Sequence, residues 1–320
     1  MNNTLMLGNG FNRVVFSNAP DWKSLYNDQK RLSLSNYTLL YEACLLENNQ
    51  SDNQYKRLIA DKLRNATRVS NINRNINDIE IIGKLLEEHN IGHLITTNVD
   101  KGIENVLTEI NGFAESWTDD ISMSAGEKIY SIRRNTLYRR DDYKLKIWKI
   151  HGDIDNIASI SLGFDQYCGS LAKMKNYLCG RYDLGTDHEC RIPIDKKMFT
   201  HAENQENPSD QRNDISWIDL FFKTNVYIAF FGLDFSEIDI WWLLNKRSRL
   251  IKKGVPISNK IVFMYNEYDT GDELPEKGIN TDENKKEQFC EKCTFLESFG
   301  VECRKIESGM RSLTSLFEII

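Results

Sequence analysis

The chain has 320 residues and a mass of 37.3 kDa, which corresponds to one large α/β domain or two average domains. Its 40% hydrophobic and 11% aromatic content is enough for a full core and excludes a disordered chain. The formal net charge is −6, and proteins that bind nucleic acid through phosphates usually carry a basic excess. Nucleic-acid binding therefore ranks last among the functions considered.

Short apolar or alternating segments predict strands, and apolar residues at three- and four-residue spacing predict helices between them. The predicted strands are residues 4–7, 93–97, 145–150, 159–163, 226–231 and 260–265, with one or two short strands inside 112–145. The predicted helices are residues 78–89, 102–110, 167–178 after a cap at Asp165, 216–222, 236–250 with Ser236 as N-cap, 281–299 and 308–320.

The alternation of strands and helices predicts an α/β fold with a parallel, doubly wound sheet. Residues 21–90 are predicted to form a mostly helical insertion, and residues 183–214 a long polar surface loop. One domain is expected to span residues 1–320.

The N-terminal residues have no basic segment followed by an apolar stretch, so no signal peptide is predicted. The longest strongly apolar run, residues 226–233, fits a buried strand and is far shorter than the roughly 20 residues that cross a bilayer. We expect a cytoplasmic protein without membrane contact, whose cysteines stay reduced. Cys290 and Cys293 form a CxxC pair, which is half of a zinc site, a redox pair or, as we favour, ordinary thiols on a helix.

Four predicted strands end in polar groups or glycines, where ligands bind in doubly wound sheets. These strand ends are Gly8-Asn9-Gly10, Asn98 with Asp100, His151, and Gly232-Leu233-Asp234. Each has a simpler explanation: a tight turn, the cap of a following helix, or a hydrogen-bonded turn histidine. Together they predict one crevice at the carboxyl ends of the strands.

The strand ends resemble motifs of the sirtuin superfamily, and more closely those of bacterial SIR2-like proteins of anti-phage defence. Gly8-Asn9-Gly10-Phe11-Asn12 is similar to the family's Gly-Ala-Gly-x-Ser phosphate-binding turn. Thr96-Thr97-Asn98-Val99-Asp100 resembles the Thr-Gln-Asn-Ile-Asp motif around the nicotinamide ribose. Ile150-His151-Gly152 resembles the catalytic His-Gly, and Gly232-Leu233-Asp234 stands in place of a late Gly-Thr-Ser turn. In this order the motifs extend over most of the chain.

The resemblance implies a Rossmann-like SIR2 fold and an enzyme that cleaves NAD⁺ between nicotinamide and ribose. The two close cysteine pairs that hold zinc in deacylating sirtuins are missing between Asp100 and Phe231, so lysine deacylation ranks behind NAD⁺ hydrolysis and no metal is expected. NAD⁺ is then the substrate, and the relatives' biology implies NAD⁺ depletion during phage infection.

The resemblance also implies roles for the matching residues. Asn98 orients a water or holds the ribose hydroxyls, and His151 accepts a proton. Asp100 holds the nicotinamide end or stabilises positive charge. The amides of Gly8, Gly10 and Phe11 receive the diphosphate. The remaining expected NAD⁺-binding residues are Asn9, Asn12, Thr97, Gly232, Leu233 and Asp234.

An enzyme that destroys NAD⁺ must be silent until it is needed. We therefore expect control by a homo-oligomer or by a separate regulatory or sensor subunit. Two alternatives stay open. The crevice could sense NAD⁺ or an ADP-ribose derivative without cleaving it, or the chain could be a scaffold subunit that holds a partner.

Overall fold

The computed structural model describes residues 3–26, 36–48, 50–73, 78–116, 129–182, 188–203, 216–265, 283–306 and 313–320. The strands in these ranges are β1 (Asn3–Leu7), β2 (Ile91–Thr96), β3 (Ala114–Ser116), β4 (Asn135–Arg140), β5 (Tyr143–Lys149), β6 (Asn225–Ala229), β7 (Ile261–Tyr265) and β8 (Glu302–Lys305). The helices are α1 (Asn9–Val15), α2 (Trp22–Leu25), α3 (Tyr37–Asn48), α4 (Asp52–Ala66), α5 (Ile82–Glu88), α6 (Gly102–Glu109), α7 (Phe164–Leu178), α8 (Ile194–Glu203), α9 (Trp217–Lys223), α10 (Ile238–Lys252) and α11 (Glu283–Ser298).

All eight described strands belong to one sheet, in the order β3-β4-β5-β2-β1-β6-β7-β8. The six strands from β5 to β8 in this order are parallel to one another, and β4 is antiparallel to both of its neighbours. The predicted α/β class is confirmed, but the sheet is mixed rather than wholly parallel. The two residues between β4 and β5, Asp141 and Asp142, leave room only for an antiparallel hairpin, and Asp141 has a φ of 51°.

Helices cover both faces of the sheet. The alternation along β1 sends Leu5 and Leu7 to a core shared with α1, α5 and α6, and sends Met6 to the opposite core, which includes residues of α7 to α11. A small cavity with an entirely apolar lining, which includes Leu86 and Val106, lies in the first of these cores.

A third core joins the helical insertion to the carboxyl edge of the sheet. Residues of α3 and α4 pack there with Val99, which follows β2, and with Ile154, which follows β5. The guanidinium of Arg64 in α4 also donates to the carbonyl of Ile154 at 3.3 Å. The insertion therefore lies over the strand ends where the sequence predicts a ligand site.

Several predicted elements differ from the structure. Residues 159–163 contain no strand, and the chain forms a 3₁₀ turn at Ile157–Ser159 instead. The described part of the predicted last helix holds a 3₁₀ turn at Thr314–Leu316. The predicted polar loop contains α8, whose apolar face consists of Ile194 and Met198, too few residues to stand out as a helical pattern.

Two predicted helix starts move slightly. The residue before α7 is Gly163, and Asp165 lies in the first turn rather than at the cap. The residue before α10 is Glu237, so Ser236 is outside the helix. Cys290 and Cys293 lie on α11 as free thiols. Every helix in the described part of the chain is too short or too polar to cross a bilayer.

Candidate functional site

The four polar strand ends lie side by side. They follow β5, β2, β1 and β6, which are neighbours in the sheet and parallel, so their carboxyl ends meet at one edge. The order of connection reverses at β1, because β2 and β5 lie on one side of it and β6 on the other. Ligands of open α/β sheets bind in the crevice at such a reversal.

Asn98 is anchored at this edge by its donors, while its acceptor stays unused. Its side-chain Nδ2 donates to the carbonyl of Gly8 at 3.2 Å, and its backbone amide donates to Oγ1 of Thr96 at 3.0 Å. Its Oδ1 is buried and has no hydrogen-bond partner among the described residues. A buried acceptor without a donor costs free energy, so this oxygen is a natural place for a ligand or water to donate. Thr97, the preceding residue, is buried as well.

Asp100 joins the loop after β2 to α1 and α6. Its two oxygens accept from Nδ2 of Asn12 at 2.8 Å and from the amide of Gly102 at 2.7 Å. Burial raises its pKa to about 6, against the opposing charge of Lys149. Both oxygens accept hydrogen bonds within the chain, and one of them holds the amide of Gly102, the first residue of α6. The predicted role of Asp100 at the nicotinamide end stays a prediction.

Lys149 is a buried cation beneath this loop. Its Nζ donates to the carbonyl of Asp100 and pairs with Glu104 at 2.8 Å and with Asp153 at 3.3 Å. The lysine side chain is 5% exposed, and two partner carboxylates balance its charge. The contact to the Asp100 carbonyl holds the loop that carries Asn98.

His151 lies between two carboxylates at the start of α10. Its Nε2 is 2.9 Å from Oδ2 of Asp239, and its Nδ1 is 3.4 Å from Oε2 of Glu237. The hydroxyl of Tyr167 in α7 donates to the same Glu237 oxygen at 3.3 Å, and its ring packs edge-on against the imidazole.

The two carboxylates shift the titration of the histidine. Burial disfavours a charged imidazole, but Asp239 and Glu237 together outweigh it and raise the pKa of His151 to about 9. Burial also raises the pKa of Glu237 to about 7, although His151 opposes this shift. At neutral pH His151 is therefore an imidazolium, which cannot accept a proton until it has lost one.

His151, Glu237 and Asp239 also have ligand atoms within 4.8 Å of one another, a set of residue types that can bind Zn²⁺. A metal needs a free lone pair on the imidazole, whereas Nε2 here faces a carboxylate oxygen and so carries the proton. The attraction between the imidazolium and the two carboxylates explains the contacts of this group without a metal. The absence of a metal stays a prediction.

The backbone amides of the glycine turn after β1 are hydrogen-bonded, two of them to the end of β6 and the residue that follows it. The amide of Gly8 donates to the Ala229 carbonyl at 3.4 Å, that of Gly10 to Phe230 at 2.9 Å, and that of Phe11 to Gly8 at 3.1 Å. In this conformation the three amides donate within the chain, and their predicted contact with a diphosphate stays a prediction. The Nδ2 of Asn9 donates to the Pro20 carbonyl at 3.0 Å.

The same contact explains why glycines stand here. A β-carbon on Gly10 would lie 2.6 Å from the carbonyl oxygen of Phe230, and one on Gly8 would lie 2.8 Å from Cα of Phe231. Phe230 itself is in the left-handed region with a φ of 51°, an uncommon conformation for an aromatic residue. The turn therefore needs glycine for the close approach of two backbone segments.

The last predicted strand end forms a strained turn. Gly232 is exposed, Leu233 has a φ of 44° with its side chain in the core, and Asp234 Oδ1 accepts from the Ser236 amide at 2.8 Å. Nζ of Lys292 on α11 donates to the Gly232 carbonyl. The buried side chain of Leu233 leaves only its backbone to face a ligand.

Four residues around the site were not predicted as part of it: Glu237, Asp239, Tyr167 and Lys149. The sequence placed Glu237 and Asp239 in the first turn of a helix, where acidic residues are common, and their spacing does not show a histidine partner from β5. Comparison with known families found no family model that matches the chain, and no curated protein has a significantly similar sequence.

Proposed function

We propose that the protein is an NAD⁺ glycohydrolase that releases nicotinamide, with its site at the carboxyl ends of β5, β2, β1 and β6. The observation that carries the proposal is the buried, unpartnered Oδ1 of Asn98 at the point where the strand order reverses. The parallel strands follow one another across the sheet as third, second, first, fourth, fifth and sixth, the order of Rossmann sheets that bind dinucleotides. The resemblance of the strand ends to SIR2-like motifs supports the same substrate.

The site does not have to supply a covalent nucleophile or a strong acid, because nicotinamide is a good leaving group. The bond between C1′ and the nicotinamide nitrogen breaks, and its electrons neutralise the positive ring. Water then forms the new bond to C1′ and gives up a proton. Asn98 Oδ1 accepts from a ribose hydroxyl or from this water, which orients the reacting groups. His151, once neutral, takes the proton as general base.

The amides of the turn after β1 are already hydrogen-bonded within the chain, as expected for an enzyme in a resting state. A diphosphate that reaches the amides of Gly8 and Gly10 has to displace the carbonyls of Ala229 and Phe230. His151 also has to lose a proton before it can act. Both features support an effector that stays silent until oligomerisation or a regulatory subunit changes the site, as expected for NAD⁺ depletion in anti-phage defence.

The runner-up is a subunit that binds NAD⁺ or an ADP-ribose derivative without turnover. The paired state of both His151 nitrogens favours it, because a histidine held this way can be a purely structural ion pair. Lysine deacylation ranks behind both.

The test is the release of nicotinamide from NAD⁺, measured by chromatography with pure protein, alone and with candidate partner proteins. Asn98→Ala and His151→Ala should each lower the rate at least about 100-fold. Asn105→Ala is the matched control, because it removes a part-buried amide of α6 that donates to Thr67 outside the site. Full turnover by a folded Asn98→Ala variant contradicts the site. NAD⁺ binding without any nicotinamide release favours the runner-up.

A further inference from the structure

The two carboxylates that hold His151 differ in their contacts. Asp239 is 2.9 Å from Nε2 and its side chain is 1% exposed, whereas Glu237 is 3.4 Å from Nδ1 and 13% exposed. Asp239 is thus the closer and more deeply buried partner, and Glu237 the looser one on the more open side. The residues are two positions apart at the start of α10, so one helix end supplies both.

This asymmetry decides which imidazole nitrogen can work as a base. A carboxylate oxygen only accepts, so the contact to Asp239 keeps the proton on Nε2. When the imidazolium loses a proton, the one on Nδ1 is then lost, and the Nδ1 lone pair becomes the acceptor. An orienting carboxylate behind a catalytic histidine fixes the tautomer in this way in other enzymes.

We propose that Asp239 is the positioning residue of His151, which keeps the proton on Nε2 and leaves Nδ1 to act, while Glu237 covers Nδ1 until the substrate arrives. The proposal rests on the proposed NAD⁺ cleavage and gives roles to two residues that were not among the expected site residues.

The groups around the histidine are consistent with this division of roles. Asp239, Glu237 and the more distant Asp234 supply negative charge from the start of α10, and Tyr167 faces the pair from α7. Tyr26, at the end of the described N-terminal segment, adds a hydroxyl near Tyr167 and Glu237. Because the Tyr167 hydroxyl donates to Glu237, it can hold this carboxylate when the contact to Nδ1 is released.

The step balances without another reactant. After the bond to nicotinamide has broken, neutral His151 takes one proton at Nδ1 from the water whose oxygen bonds to C1′. The resulting imidazolium is stabilised by Asp239 and later returns its proton to solvent. The net products are nicotinamide, ADP-ribose and one proton.

The first experiment compares the pH profiles of nicotinamide release for the wild type, Asp239→Asn and Glu237→Gln. We expect Asp239→Asn to lower kcat by about 100-fold or more with KM changed less than about threefold, because the asparagine amide can donate to Nε2 and favour the wrong tautomer. We expect Glu237→Gln to move the rising limb of the profile to lower pH, because the loss of this negative charge lowers the pKa of His151. The control is Asp219→Asn, an equally buried carboxylate that accepts from Tyr177 and the start of α9.

The second experiment does not depend on turnover. Nitrogen-15 NMR of labelled histidine reports the tautomer and titration of each imidazole, and His151→Gln assigns the His151 signals among the five histidines. The wild type should deprotonate at Nδ1, and Asp239→Asn should shift the neutral form towards the Nδ1–H tautomer and titrate at lower pH.

Wild-type kcat in folded Asp239→Asn, or an unchanged tautomer and titration, overturns the proposal. If the wild type never cleaves NAD⁺ while NMR shows the expected tautomer change, the glycohydrolase proposal fails and the positioning of His151 by Asp239 stands.

Discussion

Replacement of Gly10 by alanine is expected to destabilise the protein, because the segment after β6 occupies the space of the new β-carbon. This carbon would lie 2.6 Å from the oxygen, 3.0 Å from the carbon and 3.1 Å from the Cα of Phe230. All three are backbone atoms, so no side-chain rotation relieves the contact. The carbonyl has to retreat by most of an ångström, and it is the acceptor of the Gly10 amide at 2.9 Å.

The magnitude follows from these contacts. Overpacking of this kind costs about 1–3 kcal/mol, and a strained or lost hydrogen bond adds about 1 kcal/mol. Alanine in α1 returns up to about 1 kcal/mol, because it is the better helix former. The expected net loss is about 2 kcal/mol of unfolding free energy, which corresponds to a melting temperature about 3 °C lower for a chain of this length.

The assay is urea denaturation, followed by circular dichroism, of the wild type, Gly10→Ala and Gly232→Ala. Gly232 is the matched control at the same edge of the sheet, because a β-carbon there has no heavy atom within 4 Å. Its variant should stay within about 0.5 kcal/mol of the wild type. If Gly10→Ala unfolds at the same urea concentration as Gly232→Ala, the close approach of the two segments is not what requires the glycine.

Lys149→Met should cost about 3 kcal/mol in the same assay, because it removes the cation that lies 2.8 Å from the buried carboxylate of Glu104, while Lys101 still pairs with Asp153 at 2.9 Å; a loss below about 1 kcal/mol refutes this role. The stability of the wild type should fall between about pH 5 and pH 9. The pKa of Glu237 is about 7 and that of His151 about 9 in the folded protein, both above their ordinary values, so the folded state binds protons more tightly than the unfolded state. The Glu237 contribution is lost first, from about pH 4.5 to 7, and the His151 contribution is lost as the pH rises from about 6.5 through 9. Urea midpoints at about pH 6 and about pH 9 check the direction, and Asp239→Asn should show a smaller drop; an equal or higher midpoint at the alkaline pH contradicts the sign.

Local patterns were good predictors wherever the chemistry of a segment is set by its own residues. Buried strands such as β1 and β6 are continuous apolar runs, and the glycine turn follows the first of them directly. Patterns failed for α8, where too few apolar residues mark the helical period. They also failed for strands whose direction is set by the strand with which they pair. The β4–β5 hairpin belongs to the second kind, because its short turn sets the strand direction and its segments alternate like any half-buried strand.

In the candidate site too, some features could be predicted from the local sequence and others could not. The sequence by itself determined which residue types follow which strand, and therefore that Asn98, Asp100, His151 and the Gly8 turn are candidates for one crevice. Only the tertiary structure decided their partners: Asp239 and Glu237 on His151, Lys149 beneath the loop after β2, and the carbonyl of Phe230 on the Gly10 amide. The reason is that strand ends are local, whereas charge balance and hydrogen bonds are made between segments that are tens of residues apart in the chain and adjacent only in the folded sheet.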